Sequence, residues 1–140
     1  KWALYDIDPF SSWSEGPVAL LGDAAHPMLP FLAQGAAMAI EDAAVLADCM
    51  ARFPDDISSA MRRYERARRR RTARVQNAAR NNGRTYHMSA AEAVLRNVFL
   101  RLAGGPLLLY RYNWLYNWRT ATPGSVARAD KLPGVQTEDE

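Results

Sequence analysis

The chain has 140 residues, 49% apolar and 24% charged, a balance that suits one globular domain burying roughly two thirds of its unfolded surface and excludes a chain that is a disordered tail throughout. A single cysteine, Cys49, admits no internal disulfide, and no secretory-signal pattern is present, so the expected compartment is the reducing cytoplasm. The net charge of +3 hides a concentration: eight arginines and one glutamate between Arg62 and Arg74 carry +7 and leave −4 for the remaining residues, unlike a general nucleic-acid binder, which spreads positive charge over a face or groove.

The chain opens Lys1-Trp2-Ala3 with no initiator methionine, as if beginning inside a longer protein. Alternation from Trp2 to Ile7 predicts a strand, ended by Asp8-Pro9. Turn formers fill Phe10 to Pro17, and the apolar run Val18-Ala19-Leu20-Leu21 then reads as a buried strand bounded by Gly-Pro and Gly-Asp. A buried strand needs a sheet, and with one or two candidates in the sequence its partners are expected outside this chain. Gly22 to Pro30 is a structured loop, because two prolines forbid a regular helix through it. Gln34-Gly35 opens a helix running to about Ala51, expected to be buried on most sides, with Cys49 a small core residue rather than a nucleophile.

Phe53-Pro54-Asp55-Asp56 breaks the chain, and Asp56 is placed to cap a second helix from Ile57, which carries the arginines on to a stop at Asn81-Asn82-Gly83. A third helix, Ala90 to Leu102, sets Val94, Leu95, Val98, Phe99 and Leu102 on one stripe and should end at Gly104-Gly105-Pro106. Leu107 to Trp118 is strongly aromatic, with Trp114, Tyr116 and Trp118 read as packing residues; residues 120–140 read as a flexible polar tail beyond a domain portion spanning 1–119. Arg96, Arg101 and Arg111 interrupt the most apolar stretch, so no membrane span is expected.

The sequence from Gly22 to Asp42 has a physical meaning of its own. A loop leaving the carboxyl end of a strand is where open α/β sheets bind ligands, and the helix that follows directs unpaired amide donors into the same crevice, favouring an anion. Gly35 allows close approach to the backbone, and the Asp23 carboxylate can accept hydrogen bonds from sugar-like hydroxyls. On spacing alone the simpler reading takes precedence: Asp23 caps a turn and Gly35 relieves crowding.

The run Val18-Ala19-Leu20-Leu21-Gly22-Asp23-Ala24-Ala25-His26-Pro27-Met28-Leu29-Pro30, continuing through Gln34-Gly35-Ala36-Ala37-Met38 to Glu41-Asp42-Ala43, resembles the second flavin-binding motif of the FAD-dependent aromatic-ring monooxygenases. Within them it is most similar to the salicylate hydroxylase and 6-hydroxynicotinate 3-monooxygenase branch. Tyr64 to Gln76 is similar to that branch's arginine-rich helix, and Arg111-Tyr112-Asn113-Trp114-Leu115-Tyr116 to its closing aromatic motif. The resemblance implies an α/β parent fold of the FAD/NAD(P)-binding, glutathione-reductase-like kind, of which this chain would be the mostly helical C-terminal part with one or two strands. It implies bound FAD, NAD(P)H as co-substrate, and O2 with a small aromatic acid as reactants. Asp23 would bind a ribityl hydroxyl, Gly22 would let the cofactor pass the strand end, and Pro30 would sit against the isoalloxazine ring. The amides around Gln34, Gly35 and Ala36 would face the pyrimidine edge, where reduced flavin carries negative charge. Many relatives have Gly-x-Asn where Ala36-Ala37 stands, so a side-chain amide contact is missing here.

The G-x-G-x-x-G fingerprint for the ADP half of FAD is not in the sequence, nor is the mid-chain motif associated with FAD and NAD(P)H contacts, so the chain alone is expected to hold FAD weakly. No catalytic side chain is expected, because the cofactor carries the chemistry. Asp23 and His26 lie three apart but have no evident third metal ligand, and His26 is expected to pack in the loop or bond backbone. The rival readings are a helical binding module built on the arginine helix and an inactive fragment. Arg63, Arg66, Arg70 and Arg74 follow one stripe while Arg62, Arg68, Arg69 and Arg71 point elsewhere, so no groove-fitting face emerges. The arginines are therefore expected to form a solvated face, paired with acids on neighbouring elements.

Overall fold

The computed structural model describes residues 4–119, which form two short strands, β1 (Ser14–Glu15) and β2 (Val18–Ala19), and three helices, α1 (Gly35–Arg52), α2 (Ile57–Tyr86) and α3 (Ala90–Tyr116). Gly16 takes the left-handed φ of +54° and, with Pro17, turns β1 back onto β2 as an antiparallel pair in the register Ser14↔Ala19, Glu15↔Val18. The predicted buried strand is thus a hairpin arm, and Val18 is 64% exposed, because no further strand lies beside it among the described residues. The strand predicted from Trp2 is also corrected: residues 1–3 lie outside the described residues, and 4–7 are not extended into any ladder. That segment is held by side chains of α2 instead, with Gln76 donating to the Ile7 carbonyl and Arg80 paired with Asp6 and Asp8.

Helix α1 begins where the sequence predicted, directly after Ala33 in the left-handed region and Gln34 at the N-cap. It is not buried on most sides. Met38, Asp42 and Cys49 form a single buried stripe against α2 and the Gly22 turn, while Ala36, Ile40, Ala43 and Met50 face outward. Helix α2 is capped by Asp56, whose Oδ1 accepts the Ser59 amide at 2.9 Å. Its buried positions Met61, Tyr64, Arg68, Thr72, Val75, Ala79 and Gly83 recur at intervals of three and four, one helical face laid on the rest of the molecule.

Two predicted helix ends are overrun. Asn81-Asn82-Gly83 lies inside α2, and Gly83 serves a close approach: a β-carbon there would sit 2.7 Å from the Phe31 ring. Helix α3 continues through Gly104-Gly105-Pro106 because its far end is anchored elsewhere. Leu115 is buried against Met38 and Val75, and the Tyr112 hydroxyl bonds Asn82 at 2.9 Å. Arg71 donates to the carbonyls of Trp114 and Leu115, which the helix end leaves unpaired. A second core cluster joins Trp13, Ala25, Cys49, Ala60, Met61 and Tyr64. Burial pushes the Cys49 thiol up, which suits the core role predicted for it.

Candidate functional site

After β2 the chain makes a 3-10 turn over Gly22–Ala24, with the Gly22 carbonyl accepting the amides of Ala25 and His26, both at 2.9 Å. Gly22 has φ +59°, which favours glycine by conformation, and a β-carbon on it would crowd the Ala39 side chain at 3.3 Å. Asp23 stands exposed at the outer side of this turn. Its Oδ1 is 3.6 Å from where a β-carbon on Gly35 would lie, so the turn and the start of α1 meet there, as the sequence constellation anticipated.

Pro30 is exposed at the first position of the Pro30–Leu32 turn, and Gln34 folds back so that its amide donates to the Leu32 carbonyl at 3.3 Å. No side chain caps the first turn of α1, and the turn itself carries no acidic residue, so no side-chain hydrogen bond takes up the backbone amides at Gly35 and Ala36 among the described residues. An exposed carboxylate beside an uncapped helix N-terminus offers acceptors to hydroxyls and donors to an anionic edge. That donor set fits the ribityl chain and pyrimidine edge of a flavin. A groove of about 1110 Å3 lies between residues 30–33, the end of α2 and α3; of the predicted site residues only Pro30 lines it.

Beneath the turn lies a polar cluster that sequence reasoning did not find. Asp42, 0% exposed, accepts the Gly22 amide at 3.1 Å and the His26 Nε2 at 2.5 Å on one oxygen, and Arg68 Nε at 2.7 Å on the other. Arg68 Nη1 reaches Glu41 at 2.7 Å, and Arg71 makes a two-pronged contact with the same glutamate. Burial alone would push the Asp42 carboxyl up, but the hydrogen bonds from His26 and Arg68, with the Arg68 charge, outweigh it and hold it below the usual carboxylate range. Burial, with Asp42 nearby, pushes the neighbouring Tyr64 phenol well above its ordinary value, so it remains a neutral donor to the Leu20 carbonyl.

The solvated face expected of the arginines is therefore corrected in part. Arg68 is 1% exposed and Arg71 half-buried, both spent on internal acids, whereas Arg62, Arg66, Arg69 and Arg70 are exposed. A signal for Arg68 was present: it falls in phase with Met61, Tyr64, Thr72 and Val75 on the apolar face of α2. His26 packs in the loop as expected, its ring edge-on to Trp13, but the ring nitrogen bonds the Asp42 carboxylate rather than backbone, because the turn aims it at α1. Of the three aromatics expected to pack, Trp114 and Trp118 lie under the guanidinium groups of Arg74 and of Arg68 and Arg71, whereas Tyr116, near the end of α3, is exposed. Among the described residues no group of acids, histidines or cysteines is arranged to hold a metal ion. Nor is any helix among them long and apolar enough to cross a membrane.

The pattern of the FAD binding domain family matches residues 9–81, which contain the turn, α1 and the arginine-bearing part of α2. The chain belongs to the FAD binding domain family. Among curated relatives, 3-hydroxybenzoate 6-hydroxylase 1 of Aquipseudomonas alcaligenes is 47% identical over 124 residues, covering 86% of the chain and 30% of that protein. The 6-hydroxynicotinate 3-monooxygenase of Bordetella bronchiseptica is 49% identical over 83 residues, covering 59% of the chain and 22% of its own length. A solved salicylate hydroxylase substrate complex superposes with a TM-score of 0.68 at 32% identity, over 96% of this chain and 32% of that one. The chain thus spans about 30% of the length of relatives such as the first, and its helices and hairpin have the fold of part of a FAD-binding hydroxylase.

Proposed function

We propose that this chain is the part of an NAD(P)H-dependent flavoprotein monooxygenase that holds the ribityl chain and ring edge of FAD, in a cytoplasmic enzyme hydroxylating a small aromatic acid. The observation that carries the reading is the exposed Asp23 carboxylate set against the uncapped start of α1, within the segment that matches the family. The names of the relatives, hydroxylases and monooxygenases of benzoate, nicotinate and salicylate derivatives, support the reaction class and the substrate class. NAD(P)H as co-substrate is inferred from the resemblance of the motifs.

In this reading Asp23 accepts from a ribityl hydroxyl, and Gly22, in the left-handed region and packed against Ala39, turns the chain so that the strand end passes beside the cofactor. Pro30 offers an apolar surface to the ring. The amides of Gly35 and Ala36, with Gln34 at the N-cap, present positive helix-end polarity to the pyrimidine edge. Bound FAD supplies the redox and oxygen chemistry, so these residues bind, orient and polarise rather than react. The nucleic-acid reading loses support because Arg68 and Arg71 are committed to Glu41 and Asp42.

The test is titration with FAD, followed by quenching of flavin fluorescence, for the wild type and Asp23→Ala. Losing a charge-assisted hydrogen bond of about 1.5–3 kcal/mol should weaken binding by roughly ten- to a hundredfold. Equal affinities would remove Asp23 from the site.

A further inference from the structure

Among the described residues the Asp23 side chain makes no hydrogen bond or ion pair, yet a ligand-binding carboxylate must be held in place to be useful. The structure shows what holds it. The Gly22 carbonyl closes the turn by accepting the amides of Ala25 and His26, and both ends of the turn are then tied to one carboxylate. Gly22 reaches Asp42 through its amide and His26 through Nε2. The buried His26 ring has no partner on Nδ1, so the bond to Asp42 is the polar anchor of that ring among the described residues. Asp23 lies between the two ties. The carboxylate is itself oriented by Arg68, reaching across from α2 to its other oxygen.

We propose that Asp42 is a positioning residue for the flavin-binding turn: it clamps Gly22 and His26 so that Asp23 is presented in one orientation, with Arg68 as the countercharge that fixes the clamp. The proposal rests on the reading of Asp23 as a FAD ligand. A neutral amide could not replace the carboxylate. Three donors converge on two oxygens, and an asparagine in either orientation would set its NH2 group against a donor, Arg68 on one side or Gly22 and His26 on the other. The alternative is that the cluster is only a buried ion pair of the core, contributing to folding without influence on the turn.

The experiment compares wild type, Asp42→Asn, His26→Ala and His26→Gln in the full chain, measuring FAD affinity and, without FAD, amide hydrogen exchange. Clamping predicts that Asp42→Asn and His26→Ala weaken FAD binding at least tenfold. They should also accelerate exchange at the Gly22, Ala25 and His26 amides at least tenfold relative to the α2 amides from Tyr64 to Val75. His26→Gln, whose amide can still donate to Asp42, should recover most of both losses. A lower melting temperature with unchanged FAD affinity of the folded protein, and exchange raised uniformly or not at all at the turn, would overturn the clamp. If wild type shows no binding even at millimolar FAD, the cofactor reading fails, and the exchange comparison with its His26→Gln rescue decides the clamp by itself. If Asp42→Asn does not fold, the two His26 variants carry the decision.

Discussion

Glycine 83 shows how one residue type carries two meanings. After Asn81-Asn82 it has the chemistry of a helix stop, yet α2 runs on for another turn because Phe31 needs the space a side chain would fill. Phe31 in turn packs edge-on against Tyr86 and His87, so the contact ties the Pro30–Leu32 turn to the end of α2. Gly83→Ala gains about 1 kcal/mol of helix propensity but overpacks the ring at a cost of about 1–3 kcal/mol, so a net loss of stability is expected. Combining it with Phe31→Leu should restore the midpoint of urea unfolding; an additive further loss would show that the ring is not the obstacle. No local pattern could have announced this contact, since residues 31 and 83 are brought together by the packing of a loop on a distant helix turn.

At the scale of elements, α2 is a charged helix with two kinds of arginine. Arg66 and Arg70 are exposed, and replacing either by glutamine should change stability by no more than about 0.5 kcal/mol. Arg68→Met should cost about 3–5 kcal/mol, because it leaves Asp42 buried without its countercharge. Denaturant unfolding separates the cases, and similar losses at positions 66 and 68 would mean the network contributes no more than a surface pair. The same helix holds the hairpin: Glu65 Oε2 accepts the Trp13 and Ser14 amides at 3.1 and 2.9 Å and the hydroxyls of Ser12 and Ser14. The boundaries of α1, the Asp56 cap and the Cys49 core position were legible from sequence because they depend on neighbours along the chain. The roles of Arg68 and Glu65 were not, since each acts on a segment more than twenty residues away.

Across the whole molecule, acid should unfold the chain through Asp42 and Glu65. Hydrogen bonds hold both carboxyls below their ordinary values of about 4 despite burial, which pulls the other way. Carboxyls with depressed folded values contribute stability that is complete above the unfolded value and is lost as pH falls below it. The melting temperature should therefore hold steady near neutrality and drop as pH is lowered from about 5 towards 3. Glu65→Gln should flatten that drop; an unchanged acid profile would exclude Glu65 as a contributor. The stripe predicted on α3 stands open to solvent, with Leu95 73% and Leu102 83% exposed. Changing both to glutamine should leave stability within about 0.5 kcal/mol and lower self-association in light scattering, because such an apolar face promotes association when nothing covers it.

Contiguous residues were enough to order the three helices, to set out the turn-and-helix arrangement at Gly22 to Ala36 and to mark the flavin-binding family. Turn chemistry, capping and hydrophobic period act over three or four positions, and a motif of two dozen residues is specific. Packing across the chain makes the strand from Val18 an exposed hairpin arm and carries α3 past its Gly-Gly-Pro. It also decides that one arginine among eight is buried, and that Asp42 stands beneath the turn carrying Asp23. Those outcomes depend on which charges and which apolar faces meet across the chain: a buried ion pair forms only where two elements bring opposite charges together out of water, and local sequence does not record that distance.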